Sequence, residues 1–421
     1  MALATEVPAP TEARPAATAA TAFKHPRLIS VDALRGFDMF WIICGESVVE
    51  ALHDLSPSPT TQFLSKQLNH AEWQGFRFYD LIFPLFVFLM GVSTVFSLTK
   101  IIQTEGKAGA VKRIFRRSVL LFILALIYSG GEAKAWPELR LMGVLNRIAL
   151  CYFFGGLIFT FCKPKVIAGI ALTLLLGYWA LLAWVPFPDV RPTPGGTEVI
   201  TKHHYRDVSD LNMASTNMIR GSYIQGVNLT DYLDQKYLPG YKYDGTYDPE
   251  GFLSTLPAIV TGLLGIFAGL LLRNTQISDM KKVGLLLGCG VASVALGFFW
   301  GMEFPVIKKI WTSSYVLVAG GYSAILLGVF YLVVDVMKIQ WWCQPFIWMG
   351  MNSITIYMTS NLLGGGGFQR LAPRLAGGDV KNFFNNHVAQ GAGELVIAIV
   401  GMLLAFWFVN FLYRKKVFIR L

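Results

Sequence analysis

The chain has 421 residues, of which 54% are hydrophobic and 15% are charged, and its mean hydropathy is +0.50. Soluble domains carry about 25% charged residues. Here the apolar residues form long blocks, so the composition excludes an ordinary soluble protein. The net charge of +10 reflects which loops of a membrane protein face the cytosol, and it does not indicate a nucleic-acid partner.

The chain begins with a polar segment and then becomes apolar. Residues 1–26 are rich in Ala, Thr and Pro and contain no apolar run, which predicts a disordered cytosolic tail rather than a signal peptide. We expect residues 27–421 to form a single transmembrane domain. The cysteines lie in or beside apolar blocks without CxxC spacing, which predicts packing residues and neither a disulfide framework nor a metal site. They are Cys44, Cys151, Cys162, Cys289 and Cys343.

About ten segments are long and apolar enough to cross a membrane as helices, which takes about 20 residues each. The predicted fold class is therefore an all-α polytopic membrane protein. The segment at 115–130 is short, and the segment at 31–53 carries several charges. The ten segments lie near 31–53, 80–99, 115–130, 142–162, 166–185, 252–272, 282–301, 314–335, 344–363 and 392–413.

The loops between these segments differ in basic residues. Lys and Arg are denser in the alternate loops that lie on the same side as the N-terminus, which predicts that both termini are cytosolic. The longest loop, about 186–251, then lies outside, between the fifth and sixth helices. Its Pro, Gly and Asp clusters, as in "KYDGTYDPEG", predict turns and irregular structure that covers an outward-facing site. No metal site is expected at its adjacent His203 and His204, and "NLT" makes Asn228 a candidate glycosylation acceptor.

The first apolar segment, "SVDALRGFDMFWIICGESVVEAL", carries charges along one side. At 100° per residue, Asp32, Arg35 and Glu46 share a helix face, which predicts a polar stripe towards the outer end. Asp32 and Arg35 can equally cap the helix and pair at the interface. Glu46 lies deeper, and charges inside a membrane usually face a cavity or a partner, which favours a functional role for it.

A histidine, a tryptophan and an aspartate precede or begin the second segment, in "NHAEWQGFRFYDLIFP". His70 alone is more often a structural group. Asp80, ten residues later, makes the pair typical of a general base or nucleophile whose ring is oriented by a carboxylate. Trp73 is a candidate for stacking on a sugar or an adenine.

Polar side chains also occur in the fourth and ninth segments. Arg147 in "MGVLNRIALCYF" can extend to the headgroups or hold a carboxylate or phosphate with its donors. Asn146 beside it, and Asn352, Ser353 and Tyr357 in "MGMNSITIYM", are candidate binding residues. Such polar residues often serve only as hydrogen bonds between helices, so both interpretations stand.

Several of these segments together resemble the heparan-α-glucosaminide N-acetyltransferase family and its bacterial relatives. The resemblance runs from about Arg27 to Leu421, and the H-x-x-W-x-G…D-L-x-F-P and Y-D-P-E-G blocks are its most specific parts. The matching stretches are "RLISVDALRGFDMF", "NHAEWQGFRFYDLIFPLFVFLMGVSTVFSL", "MGVLNRIALCYF", "YDPEGFLSTLPAIVTGLLGIFAGLLL", "WTSSYVL", "PFIWMGMNSITIYM" and "YRKKVFIRL".

The resemblance implies a transmembrane acetyltransferase that takes the acetyl group of cytosolic acetyl-CoA and transfers it to the amine of a glucosamine-containing acceptor on the far side. It places the active histidine at His70, its aspartate at Asp80 and the family arginine at Arg147. Asp248, in the Y-D-P-E-G block, is a candidate binding residue. The chain departs from the lysosomal member of the family at Glu46, where that enzyme has an asparagine. That carboxylate can raise the basicity of His70 or pair with a cationic amine.

Two mechanisms remain open under this interpretation. His70 either accepts the acetyl group or acts as general base in a ternary complex, while Asn146, Asn352 or Ser353 donates to the oxyanion. The cytosolic CoA phosphates need cations. The candidates for them are Arg35, Arg113, Arg116, Arg117 and Lys415, although most of these are equally explained as basic residues of cytosolic loops that bind no ligand.

The sequence leaves other properties open. The acceptor can be free glucosamine, a polysaccharide fragment or a cell-wall sugar. The alternative class is a transporter of an amino sugar or a related solute, although matching broken helices in two halves are not apparent. A purely structural subunit is disfavoured by the intramembrane Glu46 and Arg147. The relatives imply a homodimer in contact with membrane lipid, and a bacterial inner membrane location.

Overall fold

The computed structural model describes residues 28–130, 134–192, 208–364 and 367–418. The tail predicted at 1–26 and the pair His203–His204 lie outside these ranges. The described residues form fifteen α-helices and one sheet of two antiparallel strands, β1 (Phe187–Pro188) and β2 (Met218–Ile219). The helices are α1 (Ile29–Phe40), α2 (Glu46–Leu55), α3 (Pro59–Leu68), α4 (Phe78–Tyr128), α5 (Val144–Phe161), α6 (Pro164–Trp184), α7 (Leu229–Tyr237), α8 (Thr255–Arg273), α9 (Asp279–Trp300), α10 (Ser313–Phe330), α11 (Gln344–Met351), α12 (Ser353–Leu362), α13 (Gly367–Ala376), α14 (Gly378–His387) and α15 (Ala392–Arg414).

The described part of the chain is mostly helical, as its composition predicts. Seven of its helical elements are long and apolar enough to cross a membrane: α4, α5, α6, α8, α9, α10 with its π-helical extension, and α15. The predicted number of about ten is therefore not confirmed. The segment at 31–53 is divided by a π-helical stretch at Trp41–Gly45, and the segment at 344–363 is broken at Asn352.

The long element α4 contains both the second and the third predicted segments. A straight helix of its 51 residues would be about 75 Å long. Tyr79 near its start and Tyr128 at its end nevertheless line the same cavity. The chain therefore reverses within α4, and it does so at Gly106, whose φ of 74° is left-handed. Glycine adopts such a φ without the steric cost that a side chain adds.

The centre of the bundle is packed through small residues. Helices α4, α5, α8 and α10 supply most of the largest apolar core, and α8 approaches α4 closely. A Cβ built on Gly265 would lie 1.9 Å from the carbonyl oxygen of Phe88, and one on Gly91 would lie 2.1 Å from that of Gly262. Small residues of this kind allow membrane helices to pack backbone against backbone.

We expect Gly265→Ala to destabilise the protein by about 1–3 kcal/mol, because the added methyl must push α8 away from α4. The measurement is the thermal unfolding midpoint of the purified protein in detergent. Gly288→Ala is the matched control, since a Cβ at Gly288 on α9 meets no atom within 4 Å. An equal midpoint for both variants would contradict the close α4–α8 contact.

The loop at about 186–251 is more ordered, where it is described, than the sequence indicates. Where its residues are described, it holds the β1–β2 sheet and helix α7, and it builds an apolar cluster with the end of α6 and the stretch that precedes α10. The prediction of only turns and irregular structure is thus wrong for α7. The Asn228 side chain caps this helix by accepting from the backbone N–H of Asp231. Asn228 is fully buried, so it is not available as a glycosylation acceptor.

Candidate active site

A cavity of about 760 Å³ lies at the end of the bundle where α3 ends and α4 begins. Its apolar wall comes from α1 and both arms of α4, and it reaches inward to Met39 and Phe86. Its polar wall comes from four loops and from helices α5 and α12. The charged or strongly polar lining residues are His70, Glu72, Lys134, Arg140, Asn146, Asp244, Glu250, Lys308, Lys309 and Asn361.

The structure brings His70 and Asp80 together at this cavity. The ring Nδ1 of His70 lies 2.8 Å from Oδ1 of Asp80. The Asp80 side chain is 1% exposed, whereas that of His70 is 50% exposed, so the ring is accessible and the carboxylate is enclosed. Because an ionised carboxylate only accepts hydrogen bonds, Nδ1 carries the proton. In the neutral ring Nε2 is then the unprotonated nitrogen, as a base or nucleophile requires.

The backbone around the pair fixes the carboxylate. The second oxygen of Asp80 accepts from the N–H groups of Ala71 at 3.2 Å and Arg77 at 3.0 Å. The Arg77 guanidinium donates to the His70 carbonyl at 2.9 Å, and the Tyr315 hydroxyl donates to the Asp80 carbonyl at 2.7 Å. These bonds join the loop, the start of α4 and α10, so the His70–Asp80 geometry is determined by three separate elements.

Lys308 is a third member of the cluster that the sequence analysis did not assign to the site. Its Nζ lies 3.0 Å from Nδ1 of His70 and 3.6 Å from Oδ1 of Asp80. Partial burial is the main cause that lowers the pKa of His70, and the ammonium of Lys308 lowers it further, while the Asp80 carboxylate opposes both. The pKa of Lys308 is also lowered by burial, and Asp80 and Glu250 oppose that effect.

Tyr79 contacts both Glu46 and His70 and so connects the two. The Tyr79 hydroxyl donates to the Glu46 carboxylate at 2.7 Å, and the Tyr79 ring centre lies 4.8 Å from the His70 ring centre. Arg35, one of the other charges of the predicted polar stripe, donates to the Ser93 hydroxyl at 2.6 Å. Since Tyr79 and Ser93 both belong to α4, Glu46 and Arg35 face the same neighbouring helix. Arg35 does not line the cavity, whose lining from this part of the chain begins at Met39.

Three of the predicted binding residues line the cavity: Asn146, Ser353 and Tyr357. Asn146 is fully buried, and its Oδ1 accepts from the N–H of Gly143 at 3.2 Å. Its Nδ2 has no hydrogen-bond partner among the described residues. Tyr357 stacks on Tyr128, with ring centres 4.7 Å apart. The Asn146 amide is therefore held in one orientation beside the cavity, with a buried donor that has no partner among the described residues.

Arg147 is fully buried, so it does not extend to the headgroups as one interpretation suggested. Its guanidinium donates to the Ser254 hydroxyl and to the Gly251 carbonyl. It also lies against the Trp311 ring, with its Cζ 4.9 Å from the ring centre. Arg147 thus connects α5 to the start of α8 behind the cavity wall.

Three other predicted residues do not line the cavity within the part of the chain that the structure describes. Trp73 donates its indole N–H to the Tyr223 carbonyl at 2.7 Å and packs against the apolar cluster of the 186–251 loop. Asn352 donates to the Trp348 carbonyl at 3.2 Å, at the break between α11 and α12. Asp248 pairs with Arg140 through two hydrogen bonds of 2.7 and 2.8 Å. Stacking by Trp73, oxyanion donation by Asn352 and substrate binding by Asp248 therefore lack support from the geometry.

Arg140, the partner of Asp248, and Glu250 both line the cavity, although the sequence analysis selected neither of them. Arg140 also forms an ion pair with Glu250. Burial raises the pKa of Glu250, while Arg140 opposes that effect. The signal for Glu250 lay in the Y-D-P-E-G block, where only the aspartate was chosen. Among the described residues no group of three or more His, Cys, Asp or Glu side chains could hold a metal ion.

The proposed CoA-phosphate cations lie elsewhere. Arg113, Arg116 and Arg117 belong to the second arm of α4, which begins after the turn at Gly106, and Lys415 follows α15. None of them lines the cavity within the part of the chain that the structure describes. The Arg117 guanidinium packs on the Tyr152 ring at 4.6 Å.

Comparison with known proteins gives a consistent result. The family model described as heparan-α-glucosaminide N-acetyltransferase, catalytic, matches residues 27–193. The heparan-α-glucosaminide N-acetyltransferase of Homo sapiens is 30% identical over an alignment of 381 residues, and the match covers 83% of this chain and 55% of that protein. The Mus musculus protein of the same name is 30% identical over an alignment of 335 residues, and the match covers 70% of this chain and 49% of that protein. The chain thus spans about half the length of these curated relatives.

Proposed function

Because the chain belongs to the heparan-α-glucosaminide N-acetyltransferase family, we propose that it is a membrane N-acetyltransferase that passes the acetyl group of acetyl-CoA to the amine of a glucosamine-type sugar. The observation that carries this proposal is the His70–Asp80 pair at the cavity, with Nδ1 of His70 held by the carboxylate. That arrangement leaves Nε2 to act on a substrate in the cavity.

His70 is the group that handles the acetyl transfer in this proposal. In the covalent route Nε2 attacks the thioester carbonyl, the C–S bond breaks, and CoA leaves as the thiolate. The sugar amine then attacks the acetyl-imidazolium, the bond to Nε2 breaks, and the proton that the amine loses balances the CoA thiolate as the thiol forms. In the direct route Nε2 removes a proton from the amine while the amine attacks the thioester. In both routes Asp80 holds the ring and stabilises the positive charge that the imidazole acquires.

Asn146 is the best candidate for stabilising the oxyanion. Both routes pass through a tetrahedral intermediate whose oxygen gains negative charge, and a fixed donor in a water-poor site stabilises that charge. The Asn146 amide is held by Gly143 and lacks a partner for Nδ2 among the described residues. Ser353, which also lines the cavity, is the second candidate.

We expect Asn146→Ala to lower kcat by about 10²-fold with little change in KM, because an oxyanion donor acts only in the transition state. Asn361→Ala is the matched control. Asn361 lines the same cavity, but its amide already donates to the Tyr128 carbonyl at 2.9 Å. Equal losses of kcat in the two variants would assign Asn146 a structural role instead.

The proposed orientation places the cavity on the outer side of the membrane and both termini in the cytosol. Basic residues cluster around the Gly106 turn, at the end of the α4 arms away from His70, and clusters of this kind favour the cytosolic side. They are Lys100, Lys107, Lys112, Arg113, Arg116 and Arg117. In a bacterium the membrane would be the inner membrane, with acetyl-CoA supplied from the cytosol.

The test uses the purified protein in detergent with labelled acetyl-CoA and glucosamine. We expect labelled N-acetylglucosamine to form, and it supports the proposal against the transporter alternative. The same protein in liposomes reports transport, since a carrier would move glucosamine unchanged. A folded protein that neither forms product nor binds acetyl-CoA would contradict the acetyltransferase assignment.

A further inference from the structure

Lys308 contacts His70 in an unusual way. Its Nζ lies 3.0 Å from Nδ1 and 3.3 Å from Nε2 of the same ring. An atom in the ring plane at nearly equal distances from both nitrogens would overlap the Cε1–H group between them. The ammonium therefore lies against the face of the imidazole. A lone pair at Nε2 points along the plane of the ring, so Lys308 leaves it available to the cavity.

The loop that carries Lys308 is joined to the loop that carries His70. The N–H of Gly75 donates to the Val306 carbonyl at 2.9 Å, and Gln74 forms an antiparallel bridge with Ile307. The lysine is thus placed over the ring by backbone pairing between two loops that are far apart in the sequence.

A strained turn completes the loop. Trp311 has a φ of 50°, which is uncommon for a residue with a side chain and persists where surrounding contacts enforce it. Its N–H donates to the Lys308 carbonyl at 2.9 Å, and Thr312 accepts from the N–H of Ile307 at 3.1 Å. Strained backbone of this kind is commonly found at functional sites. Here it fixes the residue that faces His70.

We infer that Lys308 is a positioning residue whose charge keeps His70 unprotonated when the medium at the outer face is acidic. This inference rests on the proposed function, because an unprotonated Nε2 matters only if His70 handles the acetyl transfer. A second positive charge against the ring disfavours the imidazolium, whereas the neutral ring is unaffected. The outer face is exposed to a medium whose pH the cell does not hold constant, so such a charge extends the pH range in which His70 works.

The charges around His70 act in both directions. Lys308 disfavours the imidazolium, whereas Asp80 and, at longer range, Glu46 favour it. The Arg77 guanidinium donates to the backbone carbonyl of His70 and not to the ring. Glu250 acts on Lys308 rather than on the ring. Together with burial, Lys308 lowers the pKa of His70 from its ordinary value. Removal of the Lys308 charge takes away a repulsion that disfavours the imidazolium. It also leaves Asp80 with one cation fewer, so the carboxylate interacts more strongly with the imidazolium. Both changes raise the pKa of His70.

The experiment compares wild type, Lys308→Met and Lys308→Arg by modification with diethyl pyrocarbonate, which reacts with unprotonated imidazole. Peptide-level mass spectrometry then gives the pH midpoint of modification at His70. We expect a wild-type midpoint below about 6.5 and an upward shift of about one pH unit in Lys308→Met. Lys308→Arg keeps the charge and should stay near wild type. His387 on α14, which is outside the cavity lining, is the internal control.

This readout does not depend on acetyl transfer. A shifted midpoint in a protein without acetyltransferase activity would support the electrostatic role of Lys308 and overturn only the proposed function. Identical midpoints in all three proteins would overturn the inference even if the protein is an active acetyltransferase. An equal shift in Lys308→Arg would assign the effect to packing rather than charge. In an active protein, the acidic limb of kcat/KM against pH should move with the His70 midpoint.

Discussion

Replacement of His70 by alanine is expected to lower acetyl transfer by roughly 10⁴-fold or more, since either mechanism loses the group that performs it. The fold should survive the change. The His70 side chain is 50% exposed, and the Arg77 hydrogen bond goes to the backbone carbonyl of residue 70, which the variant keeps. The measurement is labelled N-acetylglucosamine formed from labelled acetyl-CoA, together with the thermal unfolding midpoint.

A matched variant tests whether the loss of turnover is specific to His70 or follows from the removal of any histidine. His387→Ala removes an exposed histidine whose ring Nδ1 lies 2.9 Å from the Phe383 carbonyl oxygen on α14, and it should retain wild-type turnover. Normal turnover in a folded His70→Ala protein would defeat both routes.

The two routes differ in what accumulates without an acceptor. Incubation of wild-type protein with labelled acetyl-CoA alone should leave label on His70 if the covalent route operates. The direct route leaves no label there, because the thioester then reacts only with the amine. Mass spectrometry of the peptide that contains His70 distinguishes these outcomes, and His70→Ala provides the blank.

The parts of the fold that follow from local pattern were predictable. Apolar blocks indicate the helices. His70 and Asp80 are only ten residues apart, and Asp80 begins the segment that His70 precedes, so a contact between them is a reasonable expectation. Helix α7 of the 186–251 loop was missed because Pro- and Gly-rich stretches surround it, although Asn228 followed by Asp231 is a recognisable helix start. The reversal at Gly106 was implied only by the gap between two predicted segments.

The parts of the site that depend on distant contacts could not be predicted. Lys308 is 238 positions from His70, and in the sequence it is one of several basic residues in the loops between apolar segments. The polar residues around Trp73 in "NHAEWQGF" suggest an exposed aromatic. Its contacts with Tyr223 and Tyr247 instead place it against the 186–251 loop. Arg147 has the same sequence context whether it reaches lipid or packs on Trp311. Only the tertiary structure distinguishes such alternatives.

Replacement of Asp80 by asparagine is expected to lower kcat by about 10³-fold, because the change reverses the proton arrangement of His70. One Asp80 oxygen accepts from the N–H groups of Ala71 and Arg77, and the other accepts from Nδ1 of His70. Asparagine has only one acceptor. If its oxygen stays with the two N–H groups, its NH₂ faces Nδ1, which must then lose its proton. The proton moves to Nε2, which can no longer act as base or nucleophile.

The shape of the side chain is retained in this variant, so the expected loss reports protonation rather than packing. Asp279→Asn is the matched control. Asp279 also begins a helix, α9, and it accepts from Tyr331 at 2.7 Å and Lys282 at 3.1 Å. We expect wild-type turnover from this control and reduced reactivity of His70 towards diethyl pyrocarbonate in Asp80→Asn. Full turnover in Asp80→Asn would show that the ring works without a carboxylate at Nδ1, and the role given to Asp80 would then be wrong.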